Sequence, residues 1–154
     1  MITFRNDHPI NFVQAFIERF ELQINELTQE LSITILYINE QDSRYGYITS
    51  NSEPFATNPL FTNPFIVAIN EALCEHLSLS QEEKFAMIAH EIGHILDETP
   101  REANNQLIRE INADQFAINL GLSNELRSGL EKFIQSGNYT DVANDLNARI
   151  NRLA

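Results

Sequence analysis

Ser80–Leu96, SQEEKFAMIAHEIGHIL, is the stretch that organises the whole chain. Ser80 with Glu83 three residues later is a capping box, the start signal of a helix. Behind it Phe85, Ile88, Ala89, Ile92 and Ile95 recur at helical spacing, so an amphipathic helix is predicted. On that helix His90 and His94 stand four apart and project from one face, where both imidazoles can approach a single ion. Glu91 is rotated roughly 100 degrees from His90, at about 3.6 residues per turn. Its carboxylate therefore falls beside the ion and outside the ligand set, placed to take a proton from water. Zinc lowers the pKa of a water it holds toward about 7, which makes hydroxide available at neutral pH. Two histidines and a glutamate buried without partners among Ala89, Ile92 and Ile95 would be costly. A metal accounts for them better.

A catalytic zinc usually takes three protein ligands and a water, so a third ligand is expected downstream. Thr99-Pro100-Arg101-Glu102 carries a second helix-start signal, with Pro at the first helical position, and Gly121 sits where a C-terminal cap belongs. Within this helix Glu110 and Asp114 share a stripe with Leu107, Ala113 and Ala117. Acids on an apolar stripe are the anomaly expected of a ligand and its support. Glu110 is assigned as third ligand. Asp114 is assigned to accept a hydrogen bond from one ligand histidine and fix its tautomer. Ala113 and Ala117 allow close packing on the first helix. One misfit stands out: Glu110 would lie about 15 Å into a helix begun at Pro100, against about 5 Å from His94 to the end of its own. Either the helices cross at a large angle or residues 97–105 are partly irregular, with Asn104 or Asn105 capping a later start. In that case Glu98 and Glu102 are weaker ligand candidates.

Outward from this core, Phe12, Phe16, Phe20, Ile24 and Leu27 mark an N-terminal helix, with Pro9 suited to its first turn. Ser32–Asn39, rich in β-branched residues, reads as a strand. Beyond the polar turn Glu40–Arg44, Tyr45–Thr49 reads as its hairpin partner, and Phe65–Ile69 as a third strand. Residues 50–64, with three prolines, read as a long loop of the kind that is often functional. Two closing helices are expected over 124–135 and 141–153. The fold class expected is α+β: a single domain over residues 1–154, with a small three-stranded sheet, a metal-binding helix and further C-terminal helices.

The 154 residues and 43% hydrophobic content suit a core that folds without disulfides or a structural metal, so a metal here is functional. The net charge of −12, with ten Lys and Arg against 22 acids, disfavours nucleic acid and anionic membrane surfaces as partners. A single cysteine, Cys74, fits a reducing compartment. With no signal-peptide pattern and no apolar run of roughly 18 to 20 residues, a cytoplasmic location is expected.

The pair of motifs, His90-Glu-Ile-Gly-His94 and Glu110-Ile-Asn-Ala-Asp114, resembles the gluzincin metallopeptidases. From Phe65 to Leu122, with "INEAL", "AHEIGHILD" and "EINADQFAINLGL", the chain is similar to the Ste24/HtpX-type peptidases and to the ImmA/IrrE-type metallopeptidases. The resemblance implies a minimal zincin-like domain with His90, His94 and Glu110 as zinc ligands, Glu91 as general base and Asp114 as support. It also implies that the strand at 65–70 is an edge pairing with an extended peptide substrate, which makes Ala68 and Asn70 substrate-binding residues. Three departures accompany it: no membrane helices of the Ste24/HtpX kind, no DNA-binding module of the ImmA kind, and a spacing of sixteen from His94 to Glu110 that is short for the membrane-bound members. For the oxyanion donor such a peptidase needs, the candidates are Tyr139, His76 and Arg109. His76 beside Cys74 reads better as structural, and His8 as solvated. The function expected is a zinc-dependent endopeptidase. The alternative is a regulatory or protein-binding module that keeps the metal site without turnover.

Overall fold

A computed structural model describes residues 2–5, 11–28, 32–39, 48–50, 65–137 and 140–154. The chain divides into two compact units, residues 1–74 and 75–154.

In the first unit, β1 (Ile2–Arg5), β2 (Ile33–Ile38), β3 (Ile48–Ser50) and β4 (Ile66–Asn70) form one sheet in the order β1-β2-β4-β3. β2 runs parallel to both β1 and β4, while β3 is antiparallel to β4. Helix α1 (Asn11–Thr28) lies between β1 and β2 in sequence. Its buried stripe is Phe12, Val13, Phe16, Ile17, Phe20 and Ile24, as the periodicity predicts. Leu27 does not belong to it: it is exposed, as is Leu22. On the outer face, Gln14 donates to Glu18 one turn on, and the Arg19 guanidinium lies over the Phe20 ring.

The expected α+β fold with a three-stranded sheet is corrected on two counts. The described residues are mostly helical, and the sheet has four strands built around two parallel pairs. The hairpin between β2 and residues 45–49 also fails, for a physical reason. Both sides of β2 are taken by parallel neighbours, so β3 pairs instead with β4, Thr49 opposite Ala68. Parallel pairing needs a long crossover, which local sequence does not advertise. A strand buried on both faces reads as a continuous apolar run and not as an alternation, and every residue of β4 is buried. The sheet edge proposed at 65–70 falls with the hairpin. Ala68 faces Leu36 on one side and Thr49 on the other, so its backbone is not open to a substrate strand. Asn70 is fully buried opposite Ile38. The loop expected over 50–64 lies, beyond Ser50, outside the described residues, as do His8 and Tyr139.

Helix α2 (Glu71–His76) follows β4 directly. The second unit is then α3 (Gln81–Leu96), a 3-10 turn at Ala103–Asn105, α4 (Gln106–Asn119), α5 (Ser123–Gln135), a 3-10 turn at Thr140–Val142 and α6 (Ala143–Leu153). Ser80 caps α3 in extended conformation, and its Oγ accepts from the Glu83 amide at 3.2 Å. The Glu83 carboxylate is engaged elsewhere: Lys132 of α5 reaches it at 2.8 Å and also bonds the Ser78 carbonyl. That ion pair fastens the start of α3 to α5. At its other end α4 closes as a Schellman motif: Leu122 N–H bonds Ala117 O, Gly121 N–H bonds Ile118 O, and Gly121 has φ of +79°.

The seam between α3 and α4 is tight at one place. A Cβ on Gly93 would lie 2.6 Å from the Ala113 carbonyl oxygen and 2.7 Å from its Cα. Both are backbone atoms, which cannot swing aside, so Gly93→Ala must push the helices apart. We expect a loss of about 1–3 kcal/mol in stability, read as a lower melting temperature. A variant melting with the parent chain would show that the seam tolerates the methyl group.

Candidate metal centre

His90 and His94 emerge from α3 one turn apart, and α4 presents Glu110 to both. His90 Nε2 lies 3.2 Å from Glu110 Oε2, and His94 Nε2 lies 3.2 Å from Glu110 Oε1. The two imidazoles meet edge to face, centroids 4.6 Å apart. One donor atom from each residue falls within 4.8 Å of the others. Donors at about 2.0–2.2 Å from one zinc in a tetrahedral shell are roughly 3.4 Å from each other. The observed separations therefore fit a single small ion. The residue types fit as well, being borderline nitrogen donors with one carboxylate.

Glu110 reaches this place because α4 starts late. Pro100 does not open the helix; it begins at Gln106, after the 3-10 turn at Ala103–Asn105. The cause is the exit from α3. Asp97 Oδ1 accepts from the Thr99 amide at 3.1 Å, the Thr99 hydroxyl at 2.7 Å and Asn112 Nδ2 at 3.3 Å. That side-chain turn competes with helix formation and pins the connection against α4. Asn105 occupies the N-cap position, though without a side-chain capping bond. Glu110 then lies one turn inside its helix, level with the histidines. Glu98 and Glu102, the weaker ligand candidates, are exposed on the connection.

Asp114 takes the supporting place expected of it. It is almost fully buried, and its Oδ1 lies 2.8 Å from His90 Nδ1. A histidine that gives its Nδ1 proton to a carboxylate can offer Nε2 to a metal; in the metal-free chain Nε2 faces Glu110 Oε2 instead. His94 Nδ1 is buried with no hydrogen-bond partner among the described residues.

The residue that sequence reasoning missed is Arg149, on α6. Its Nε donates to Asp114 Oδ2 at 2.8 Å and its Nη2 to Asp114 Oδ1 at 2.7 Å, a fork-on-carboxylate pair. Its Nη1 lies 3.0 Å from Glu110 Oε2. Arg152, one turn on, donates to Gln115 Oε1 at 3.2 Å, so two arginines bind α6 to α4. A signal was present. Arg149 lies on the stripe of Leu146 and Leu153, the buried face of α6, and a charge on an apolar stripe is what singled out Glu110.

The charges are strongly coupled. Burial opposes ionisation of Glu110, but hydrogen bonds from His90 and His94 and the fields of His90 and Arg149 hold it far below the usual carboxylate range. Asp114 is likewise held low against its burial, by hydrogen bonds from His90 and Arg149. For His90, burial favours the neutral ring, yet the hydrogen bonds to Asp114 and Glu110 prevail and push it up to about 9 from 6.5. The field of Arg149 opposes that rise and the field of Glu91 adds to it. In the metal-free chain a proton on His90 thus does part of the work of a cation.

The raised value has a signed consequence. The stabilisation from protonated His90 is complete below about pH 6.5 and is lost as pH rises through about 9. Metal binding must displace that proton, so it strengthens over the same interval. Melting temperature in chelator should fall from pH 6.5 to 9, and the increment produced by saturating zinc should grow. A zinc increment independent of pH would show that His90 is not where zinc and proton compete.

Of the oxyanion candidates, His76 is exposed on α2, and Arg109 acts on Asp97, whose carboxyl its charge helps to lower. A cavity of about 260 Å³ opens along α3 and α4 from Gly93 to Asn119, and neither His76 nor Arg109 lines it. No helix among the described residues is long and apolar enough to cross a membrane. Compared with known protein families, curated proteins and solved structures, the chain finds no match.

Proposed function

We propose that the chain is a zinc-dependent hydrolase, an endopeptidase acting on peptides. The single observation that carries this is the convergence of His90, His94 and Glu110 in one group of donors, with Glu91 next to His90 on the same helix. Two nitrogens and one carboxylate are the ligand set of a zinc site that keeps a position for water. When bound, zinc supplies a Lewis acid that brings the pKa of water near 7 and polarises a carbonyl. His90, His94 and Glu110 are the residues that would hold it. Glu91 takes the proton of the attacking water and returns it to the leaving amine. Asp114 holds the His90 ring in the tautomer that leaves Nε2 free. The resemblance of the two motifs to the gluzincins points the same way.

The test is metal analysis of the purified chain and mass-spectrometric analysis of a generic peptide library incubated with it. The expected result is stoichiometric zinc with cleavage that stops on addition of a chelator. A chain that retains no zinc contradicts the proposal at its root. Stoichiometric zinc without cleavage would leave the alternative, a regulatory or protein-binding module. The neighbours on both sides of Ala68 favour that alternative, because they remove the strand edge expected to hold a substrate.

A further inference from the structure

Arg149 does more than close a charge balance. It touches two carboxylates with different duties, and it uses separate nitrogens for each. The Nε and Nη2 edge is fully occupied by Asp114. Asp114 is itself fixed by His90 Nδ1, so the plane of the guanidinium has little freedom. Nη1 is thereby aimed at Oε2 of Glu110, at 3.0 Å. Each Glu110 oxygen faces one histidine, Oε2 at 3.2 Å from His90 Nε2 and Oε1 at 3.2 Å from His94 Nε2, and Arg149 adds its contact to Oε2 alone.

We propose that Arg149 is a positioning residue that sets how Glu110 meets the metal. By holding Oε2 it leaves Oε1 as the stronger ligand, so Glu110 binds through one oxygen and a coordination position stays free for water. The inference rests on the proposed metal site and goes beyond it. A carboxylate can take zinc through one oxygen or two, and a second oxygen would occupy the place that hydrolysis needs. Nothing in the spacing of His90, His94 and Glu110 makes this choice. The guanidinium is suited to it because its donors are fixed in a planar fork; a lysine ammonium carries the charge without the direction. Its site is also deeply buried, the Arg149 side chain being only 7% exposed, so the contact is shielded from water and from salt. It follows that α6, far along the chain from His90, is part of the metal centre.

Arg149→Met and Arg149→Lys of the full chain test this, beside the parent, with three measurements. Zinc affinity is read by competition with a chromophoric chelator, coordination from the visible bands of the cobalt-substituted protein, and folding by circular dichroism. Arg149→Met should lower zinc affinity about 10–100-fold, the usual effect of removing a group that orients a ligand. Its cobalt bands should weaken and shift as Glu110 turns to bind through both oxygens. Arg149→Lys should recover part of the affinity but not the parent spectrum. If Arg149→Met does not fold, Arg149→Met combined with Asp114→Asn removes both buried charges together, and that variant with Arg149→Lys decides the matter by the same spectral criterion. Folded variants with parent affinity and parent cobalt bands, altered only in melting temperature, would overturn the proposal and leave Arg149 as a fastener of α6. A parent chain that binds neither zinc nor cobalt is a different outcome, and it removes the metal site itself.

Discussion

Glu91→Gln is expected to retain zinc as tightly as the parent chain while cleaving peptide about 10²–10⁴-fold more slowly. The amide matches the carboxylate in shape, and Glu91 is absent from the group of three donors, so coordination should be untouched. What disappears is a base able to take a proton from water and return it to the amine. Loss should fall on kcat, with KM little changed, because the missing contact is made in the transition state. Metal content and kinetics on one chelator-sensitive peptide check both halves. A variant that keeps parent turnover removes Glu91 from the chemistry, whatever the metal does. One that loses zinc instead would show that Glu91 belongs to the ligand set, and the assignment of Glu110 would then need revision.

The second large effect is structural. Asp114→Ala takes away the shared partner of His90 and Arg149 in a place where water has almost no access. The arginine keeps its contact to Glu110 and lies 3.4 Å from His90 Nδ1, but its fork loses the carboxylate and the His90 Nδ1 proton loses its acceptor. Breaking a buried pair by removing one partner costs about 3–5 kcal/mol, mostly for the charge left behind. For a chain of this size that corresponds to a fall of roughly 6–20 °C in melting temperature. Thermal melts in chelator isolate this from metal binding. Asp114→Asn should be milder, since its amide oxygen still accepts from His90. A loss within about 0.5 kcal/mol for Asp114→Ala, the range of ordinary surface changes, would mean that Arg149 is not confined as the structure places it.

The candidate centre was more legible than the sheet. The paired histidines, the helix from Ser80 and the burial of Asp114 follow from short-range rules: a cap three residues long, a period near 3.6, and acids out of place on an apolar stripe. Even the irregular connection was foreshadowed, because Glu110 misaligns with His94 if α4 starts at Pro100. Its cause was not visible, since the Asp97 turn is completed by Asn112 from the next helix. The strands failed differently. Tyr45–Thr49 sits a hairpin's distance from β2, and the local rule was followed. The actual partners of β2 are β1 and β4, joined through crossovers whose pairing energy is not written in either strand alone.

By itself the sequence determined that two imidazoles one helical turn apart would share a face with Glu91 beside them. That is a property of backbone hydrogen bonding within a single helix, and no distant residue can alter it. The sequence ranked Glu110 above Glu98 and Glu102, but only the tertiary structure brings it to both histidines and sets Arg149 behind it. Those choices depend on where α4 begins, how closely Gly93 meets Ala113 and how α6 is bound to α4. Each is a contact between segments remote in the chain, fixed by packing and buried charge rather than by spacing.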